Sequence, residues 1–232
     1  MTALPAIAPE IPAIQRLAAL APLDEAALDL LRTAARQQRA VVARREILTE
    51  GQAIGPHLLL LSGWAARVRV LEDGRRQILA FILPGDFLTP ERDIAPATVV
   101  AVNDLTLAPA PDVTNIPCLE EAYRSARLQE ECRMLAHITR IGQMSAQERI
   151  VDLLLEFHDR MAQAGLIRRN RFPVPLTQDV LADAVGLTSI HVNRTLMSLR
   201  RRGDLEWRAR EMTLPNLARL RAMVGQENTS PP

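Results

Sequence analysis

The stretch Leu176 to Gly203, LTQDVLADAVGLTSIHVNRTLMSLRRRG, decides how the chain is read. Its apolar spacing predicts two short helices separated by a glycine. Thr177 is placed to cap a first helix over Gln178 to Ala184, with Val180, Leu181, Ala184 and Val185 on its inner face. Gly186 stands where a tight turn needs a positive φ. Leu187 would plug the angle, and Thr188 would cap a second helix from Ser189 to Arg202. In that helix Ile190, Leu196 and Leu199 are expected to point inward, with Val192 and Thr195 at the boundary. Ser189, His191, Asn193, Arg194 and Ser198 are left for the outer face.

These are the parts that DNA reading needs. The first turns of a recognition helix enter the major groove and offer side chains to base edges. Arg194 can bond guanine in a bidentate manner, and Asn193 and His191 can reach bases or phosphate. Thr177 and Gln178, with the free N–H groups of the first helix, are placed to hold a phosphate. Thr188 and Ser189 begin the reading helix, and Arg200 and Arg201 add backbone attraction at its far end. Beyond Gly203, Leu205-Glu206-Trp207 and Met212-Thr213-Leu214 read as a two-stranded wing. A plain pair of packed helices is the bland alternative; the coincidence of caps, turn glycine, plug leucine and basic outer face argues for DNA.

Charge agrees with this placement. All 28 basic residues are arginine, the net charge is +1, and the charges are unevenly distributed. Between Arg168 and Arg210 nine arginines face four acids, whereas residues 1–144 hold 15 arginines against 17 acids. A local basic surface on a balanced protein suits a polyanion. No apolar run is long enough for a membrane span, and the N-terminus lacks the pattern of a secretory signal, so a cytoplasmic location with no membrane partner is expected. Cys118 and Cys132 make neither a disulfide framework nor a metal knuckle.

Working outward, residues 1–22, rich in proline and alanine, read as an irregular arm. Leu23 to Ala35 carries helical spacing, with Asp24 and Glu25 suited to its start. Residues 23–115 then show short strands punctuated by turns, the strongest hairpin signal being Ala66 to Leu71 and Gln77 to Ile82 around Asp73-Gly74. A further strand pair is expected at Ala97 to Val102 and Thr106 to Ala108. The sum suggests a compact β-roll. Leu119 to Met161 is helical in character. Leu128, Cys132, Leu135, Ile138 and Ile141 form one apolar stripe there, for packing on the β-roll or for a seam with a second copy of the chain. Ser145 and Glu148 spell a capping box. The divisions expected are therefore the arm, a β-roll at 23–115, a dimerisation segment at 116–144 and a winged helix-turn-helix at 145–232, with Gly165 to Pro175 a basic link inside the last. The fold class is α+β.

Pro175 to Gly203 resembles the C-terminal domain of Crp/Fnr-type bacterial regulators, in a branch with a PLTQ…LADA.GLT..HVNRTL pattern. The resemblance extends to Gly63-Trp64, Asp73 to Ile78, Pro84-Gly85-Asp86-Phe87 and Ser145 to Arg149. It implies a cyclic-nucleotide-binding-like β-roll, a long dimer helix, homodimers on two-fold-related half-sites and contact with RNA polymerase. Cyclic-nucleotide members hold phosphate with a short helix after Gly-Glu and an Arg-Ser or Arg-Thr pair. Here Asp86 replaces the glutamate, two prolines interrupt the helix, and Ala97-Thr98 stands at the pair, which argues against a cyclic nucleotide. An effector pocket, where one exists, is expected around Arg75, Phe81, Gly85, Asp86 and Arg92. No cysteine precedes Cys118, against an N-terminal iron–sulfur cluster. Haem stays open through His57, His137, Cys118 and Cys132, none paired at a recognisable spacing, and no cofactor is predicted. Where many relatives carry a glutamate that accepts from cytosine, this chain has Ile190. The alternatives to a plain regulator are a haem- or thiol-based sensor and a β-roll that binds only a protein. No catalytic motif points to an enzyme.

Overall fold

The computed structural model describes residues 11–88 and 93–226. It opens on α1 (Pro12–Leu20), where an irregular arm was expected; residues 1–10 lie outside the described residues. Proline at the first helical position starts a helix rather than breaking it. Ala13, Ile14 and Leu17 then share one face, which is buried against the β-roll and the later helices. α2 (Glu25–Arg36) follows, capped by the Asp24 carboxylate, which accepts from the N–H of Ala27.

Seven strands come next: β1 (Arg39–Val41), β2 (Glu46–Leu48), β3 (Leu58–Ser62), β4 (Ala65–Val70), β5 (Arg76–Ile82), β6 (Thr98–Ala101) and β7 (Leu105–Pro109). They form two antiparallel sheets, ordered β1-β7-β3 and β2-β6-β4-β5. Leu60, Leu105 and Leu107 of the first sheet meet Ala65, Ile82 and Val99 of the second, so the expected β-roll is closed by its own core. The β4–β5 hairpin turns through Glu72 to Gly74, with Gly74 in the left-handed region closing a three-residue loop. The two strands expected to pair with each other, β6 and β7, instead lie in different sheets. The chain changes sheet at Val102 to Asp104, and the corner is tight: a Cβ on Gly63 would sit 2.4 Å from the Asp104 carbonyl oxygen.

The helical half comprises α3 (Pro117–Gln143), α4 (Ala146–Gln163), α5 (Gln178–Val185), α6 (Ser189–Arg201) and α7 (Leu217–Met223), with β8 (Arg171–Pro173), β9 (Glu206–Arg208) and β10 (Glu211–Thr213). Ser145 and Glu148 form the expected capping box at the start of α4. The wing has three strands rather than two, in the order β8-β10-β9, because the basic link itself supplies β8. The two halves share one core. Phe157 of α4 packs edge-on to Trp64 and Phe81 of the β-roll, at centroid distances of 4.8 and 5.1 Å.

A buried ion cluster ties this core together. Asp86 accepts from the Leu83 N–H (2.8 Å) and pairs with Arg16 of α1 (2.8 Å), Arg133 of α3 (3.4 Å) and Arg160 of α4. Arg16 is 0% exposed. Glu156 joins Arg160 (2.9 Å) to Arg140 (2.8 Å), and Arg140 reaches Asp152 (2.8 Å). Gly85 leaves room for Arg16, since a Cβ there would fall 2.9 Å from the Arg16 Cβ. Burial alone would push the Asp86 carboxyl up; the guanidiniums of Arg16, Arg160 and Arg133 outweigh it and hold the group well below the usual carboxylate range.

Because folding lowers this pKa, the unfolded chain binds the extra proton. The stabilisation is complete above the unfolded carboxylate value of about 4 and is lost as pH falls from there toward the folded value. Asp86→Asn should cost about 3–5 kcal/mol at neutral pH, as expected for buried arginines left without their partner. Urea denaturation at pH 7 and below pH 4 checks both points: the wild-type advantage over the variant should shrink in acid.

Candidate nucleic-acid interface

The two helices of the quoted stretch form as their punctuation suggests. Thr177 Oγ1 accepts from the Val180 N–H (3.2 Å), and Thr188 Oγ1 accepts from the His191 N–H (3.3 Å). Gly186 ends α5 in the left-handed region at φ 64°. Leu181, Ala184 and Val185 of α5 and Val192, Leu196 and Leu199 of α6 are fully buried. Val192, placed at the boundary from sequence, belongs to the core.

Ile190 is the main correction. Expected to point inward, it is 71% exposed. The period of the helix explains this: Val192, Leu196 and Leu199 already fill the inner stripe, and Ile190 lies off it. The outer face therefore carries Ile190, His191, Asn193, Arg194, Met197 and Arg201, all exposed. Ser189 is half-buried and its hydroxyl donates to Asp179 of α5, so this residue fastens the two helices together. Arg194 and Arg201 have no acidic partner among the described residues; Arg200 reaches back toward the Trp207 carbonyl (3.5 Å), and Arg202 pairs with Asp204 (2.9 Å). Gln178 is half-buried at the start of α5, and Thr177 opens on a cleft of about 770 Å³ shared with Arg44, Arg76 and Asp104 of the β-roll.

The wing adds two residues that sequence reasoning did not single out. Ala209 and Arg210 both have positive φ, 50° and 66°, and form the tight turn between β9 and β10. That places Arg208 and Arg210 at an exposed tip, with no acidic partner among the described residues. Two arginines on either side of Ala209, between two short strands, were the available signal. The helix pair is also held by the β-roll: Arg76 of β5 pairs with Asp183 of α5 (2.5 Å), and the two elements pack together.

The apolar residues of α3 divide along its length, those before the expected stripe being buried. Leu119, Ala122, Tyr123 and Ala126 pack on the β-roll side. Leu128, Leu135 (60%) and Ile138 (62%) are exposed, as are Cys132 and Met134, with Ile141 half-buried. The stripe is therefore not spent on the β-roll.

Of the residues named for an effector pocket, Phe81 and Asp86 line one small cavity, whereas Arg75 and Gly85 do not join them there. Arg75 is exposed and pairs with Asp73 in its own turn (2.7 Å), Phe81 lies in the aromatic core, and Gly85 and Asp86 serve the ion cluster. Arg92 lies outside the described residues. Beside Asp86, the junction of β5, α3 and α4 encloses about 30 Å³, room for about one water. Arg67 closes one side, pairing with Glu130 of α3 and donating to the Phe87 carbonyl (3.1 Å). His137 lines this space, with burial and then Arg140 lowering its pKa against Glu156. Cys118 and Cys132 lie on one helix, about 21 Å apart at its rise per residue. Among the described residues no group of three or more His, Cys, Asp or Glu side chains could hold a metal ion, and no helix is long and apolar enough to cross a membrane.

Residues 148–223 match the Crp-like helix-turn-helix domain family. Over 193 residues the chain is 31% identical to the nitrogen fixation regulation protein FixK of Azorhizobium caulinodans, spanning 78% of this chain and 77% of that one. It is 30% identical over 173 residues to the protein of the same name in Bradyrhizobium diazoefficiens, spanning 71% and 72%. The solved structure of FixK2 from Bradyrhizobium japonicum shares the fold, with a TM-score of 0.70 at 24% identity over 84% of this chain and 98% of that one.

Gly186 offers a clean test of the turn. A Cβ there would meet nothing closer than 3.7 Å, so Gly186→Ala should cost only the left-handed backbone, about 1–2 kcal/mol. Chemical denaturation should show that loss, and a Gly186→Asn variant, with a side chain tolerated at positive φ, should recover part of it.

Proposed function

Because this chain belongs to the Crp/Fnr family of transcription regulators, we propose that it acts as a homodimer on a two-fold-symmetric operator, reading bases with α6. The observation that carries this is Arg194, exposed and without an acidic partner among the described residues, on the outer face of a capped helix behind a left-handed glycine. A guanidinium so presented fits the O6 and N7 of guanine. Asn193 and His191 flank it for bases or phosphate. Thr188 caps the helix that carries them. The first turn of α5 at Thr177 and Gln178, with Arg200, Arg201, Arg208 and Arg210, surrounds the reader with phosphate-binding groups.

The exposed part of the α3 stripe supplies the second copy. Leu128, Cys132, Leu135, Ile138 and Ile141 recur at steps of three and four, the spacing of a helix–helix seam, and burying them twice over removes a large apolar surface from water. The β-roll in this reading acts as a scaffold or protein-docking body with no cyclic nucleotide, since the groups nearest the family's phosphate cassette are engaged internally. Within one chain the cysteines are too far apart along α3 to pair, which leaves a thiol sensor only through Cys132 across the proposed seam, and His137 lies beside Arg140 and Glu156. Contact with RNA polymerase is part of this proposal through the family and rests on no residue named here.

Selection of bound sequences from random DNA by the purified protein should return a two-fold motif; a pool with no enriched motif would sink the reading. Affinity should fall with salt in proportion to the phosphates neutralised. Arg194→Ala should lose about 1–3 kcal/mol of discrimination at one G·C pair per half-site, read by competition binding. Ile138→Glu should give monomers in sedimentation velocity and weaken operator binding, while the circular dichroism spectrum stays that of the wild type.

A further inference from the structure

We propose that Ile190 reads the 5-methyl group of a thymine in each half-site, within about two base pairs of the guanine bound by Arg194. This rests on the DNA reading above and adds a second determinant to its operator.

Ile190 is more exposed than any other large apolar side chain among the described residues. A lone exposed apolar residue is ordinary on a protein surface; its position here is what matters. It stands at the second position of α6, on the face it shares with His191, Asn193 and Arg194. Packing does not require it, because Val192, Leu196 and Leu199 fill the inner stripe. Helix formation does not favour it, because a β-branched side chain is a poorer helix former than its straight-chain alternatives. Ser189, immediately before it, has its hydroxyl turned to Asp179. The apolar group at the tip of the reading helix is therefore Ile190, in a surface otherwise built to meet a polyanion.

Among the four bases, only thymine presents an apolar group in the major groove. Against guanine, adenine or cytosine, the isoleucine would strip water from polar base edges and return no hydrogen bond, which is a penalty. Attraction to one base and rejection of the others thus come from one side chain. Residues four apart on a helix are about 6 Å apart along its axis, close to two base-pair steps of about 3.4 Å. That spacing sets where the thymine lies relative to the guanine.

The test replaces thymine by deoxyuridine, one position at a time, in the selected operator; this removes the methyl group and nothing else. With the wild-type protein, one position per half-site within two base pairs of the Arg194 guanine should weaken binding by about fourfold, the worth of one buried methyl-sized group. Ile190→Ala should bind the thymine operator more weakly and lose the deoxyuridine effect at that position, while keeping its dependence on the guanine. Ile190→Glu should move the preference at that pair from T·A to C·G. Exposure of the side chain makes both variants compatible with folding, which thermal melts would verify. An enriched motif whose affinity is unchanged by deoxyuridine anywhere near the guanine overturns this proposal and leaves the DNA reading standing, as does an Ile190→Ala variant that keeps the full methyl effect. Failure to enrich any motif overturns both.

Discussion

Taking a carboxylate out of water costs several kcal/mol, and the cost is recovered only when good partners surround it. Asp86 meets that condition by drawing guanidiniums from three helices, each distant from it in sequence. Arg16 comes from α1, Arg133 from α3 and Arg160 from α4, while the Leu83 N–H of the β-roll supplies a fourth donor. Arg16 and Arg160 have further partners in the Gly85 carbonyl and Glu156, but Asp86 is the group that all three arginines share, and the carboxylate would not be tolerated without them. A hydrophobic core accepts many alternative packings of similar energy; a charge cluster accepts few. The position of α1, the second half of α3 and the far end of α4 are therefore coupled through one residue.

That coupling explains why the halves of the chain behave as one body. Phe157 sits on α4, one turn before Arg160, so the aromatic contact with Trp64 and Phe81 and the ion cluster reinforce the same junction. Asp86, which stands where the resemblance places a glutamate, serves the ion cluster. Aspartate in place of glutamate is shorter, and its oxygens are taken by arginines of the chain itself. Arg67 is likewise turned to Glu130 of α3 rather than to open space.

The legibility of the chain follows from the range of the interactions. Thr177, Gly186, Thr188 and the Ser145–Glu148 box are local devices, each fulfilled within four residues of its own position, so their letters suffice. The β4–β5 hairpin is equally local. The sheet partners of β6 and β7 are not, since neighbouring strands in sequence can join opposite sheets, and only the tight corner at Gly63 and Asp104 settles it. α1 was obscured by composition: proline and alanine suggest an irregular arm until the docking face of Ile14 and Leu17 is seen. Arg16 gave no hint of burial, because its partner is 70 residues away. Ile190 was misplaced because an apolar letter in a helix is assigned to the core by default, and three others had already filled it. His191, Asn193 and Arg194 were readable on the outer face of α6; Ser198 is half-buried and Met197 takes an outer place, while the engagement of Ser189 with Asp179 depends on how the helices cross.

The Arg76–Asp183 pair and the packing of β5 on α5 have a geometric consequence. The reading unit is clamped to the roll of its own chain instead of swinging on a tether. In the proposed dimer, the span between the two reading helices is then a property of both rolls and the α3 seam together, like the fixed jaws of a calliper. Half-sites on DNA recur at one helical turn, and adding a single base pair both lengthens the gap and rotates one half-site about the duplex axis. In that dimer, tolerance for irregular operators would depend on the contact of β5 with α5 as well as on the α3 seam, far from any base.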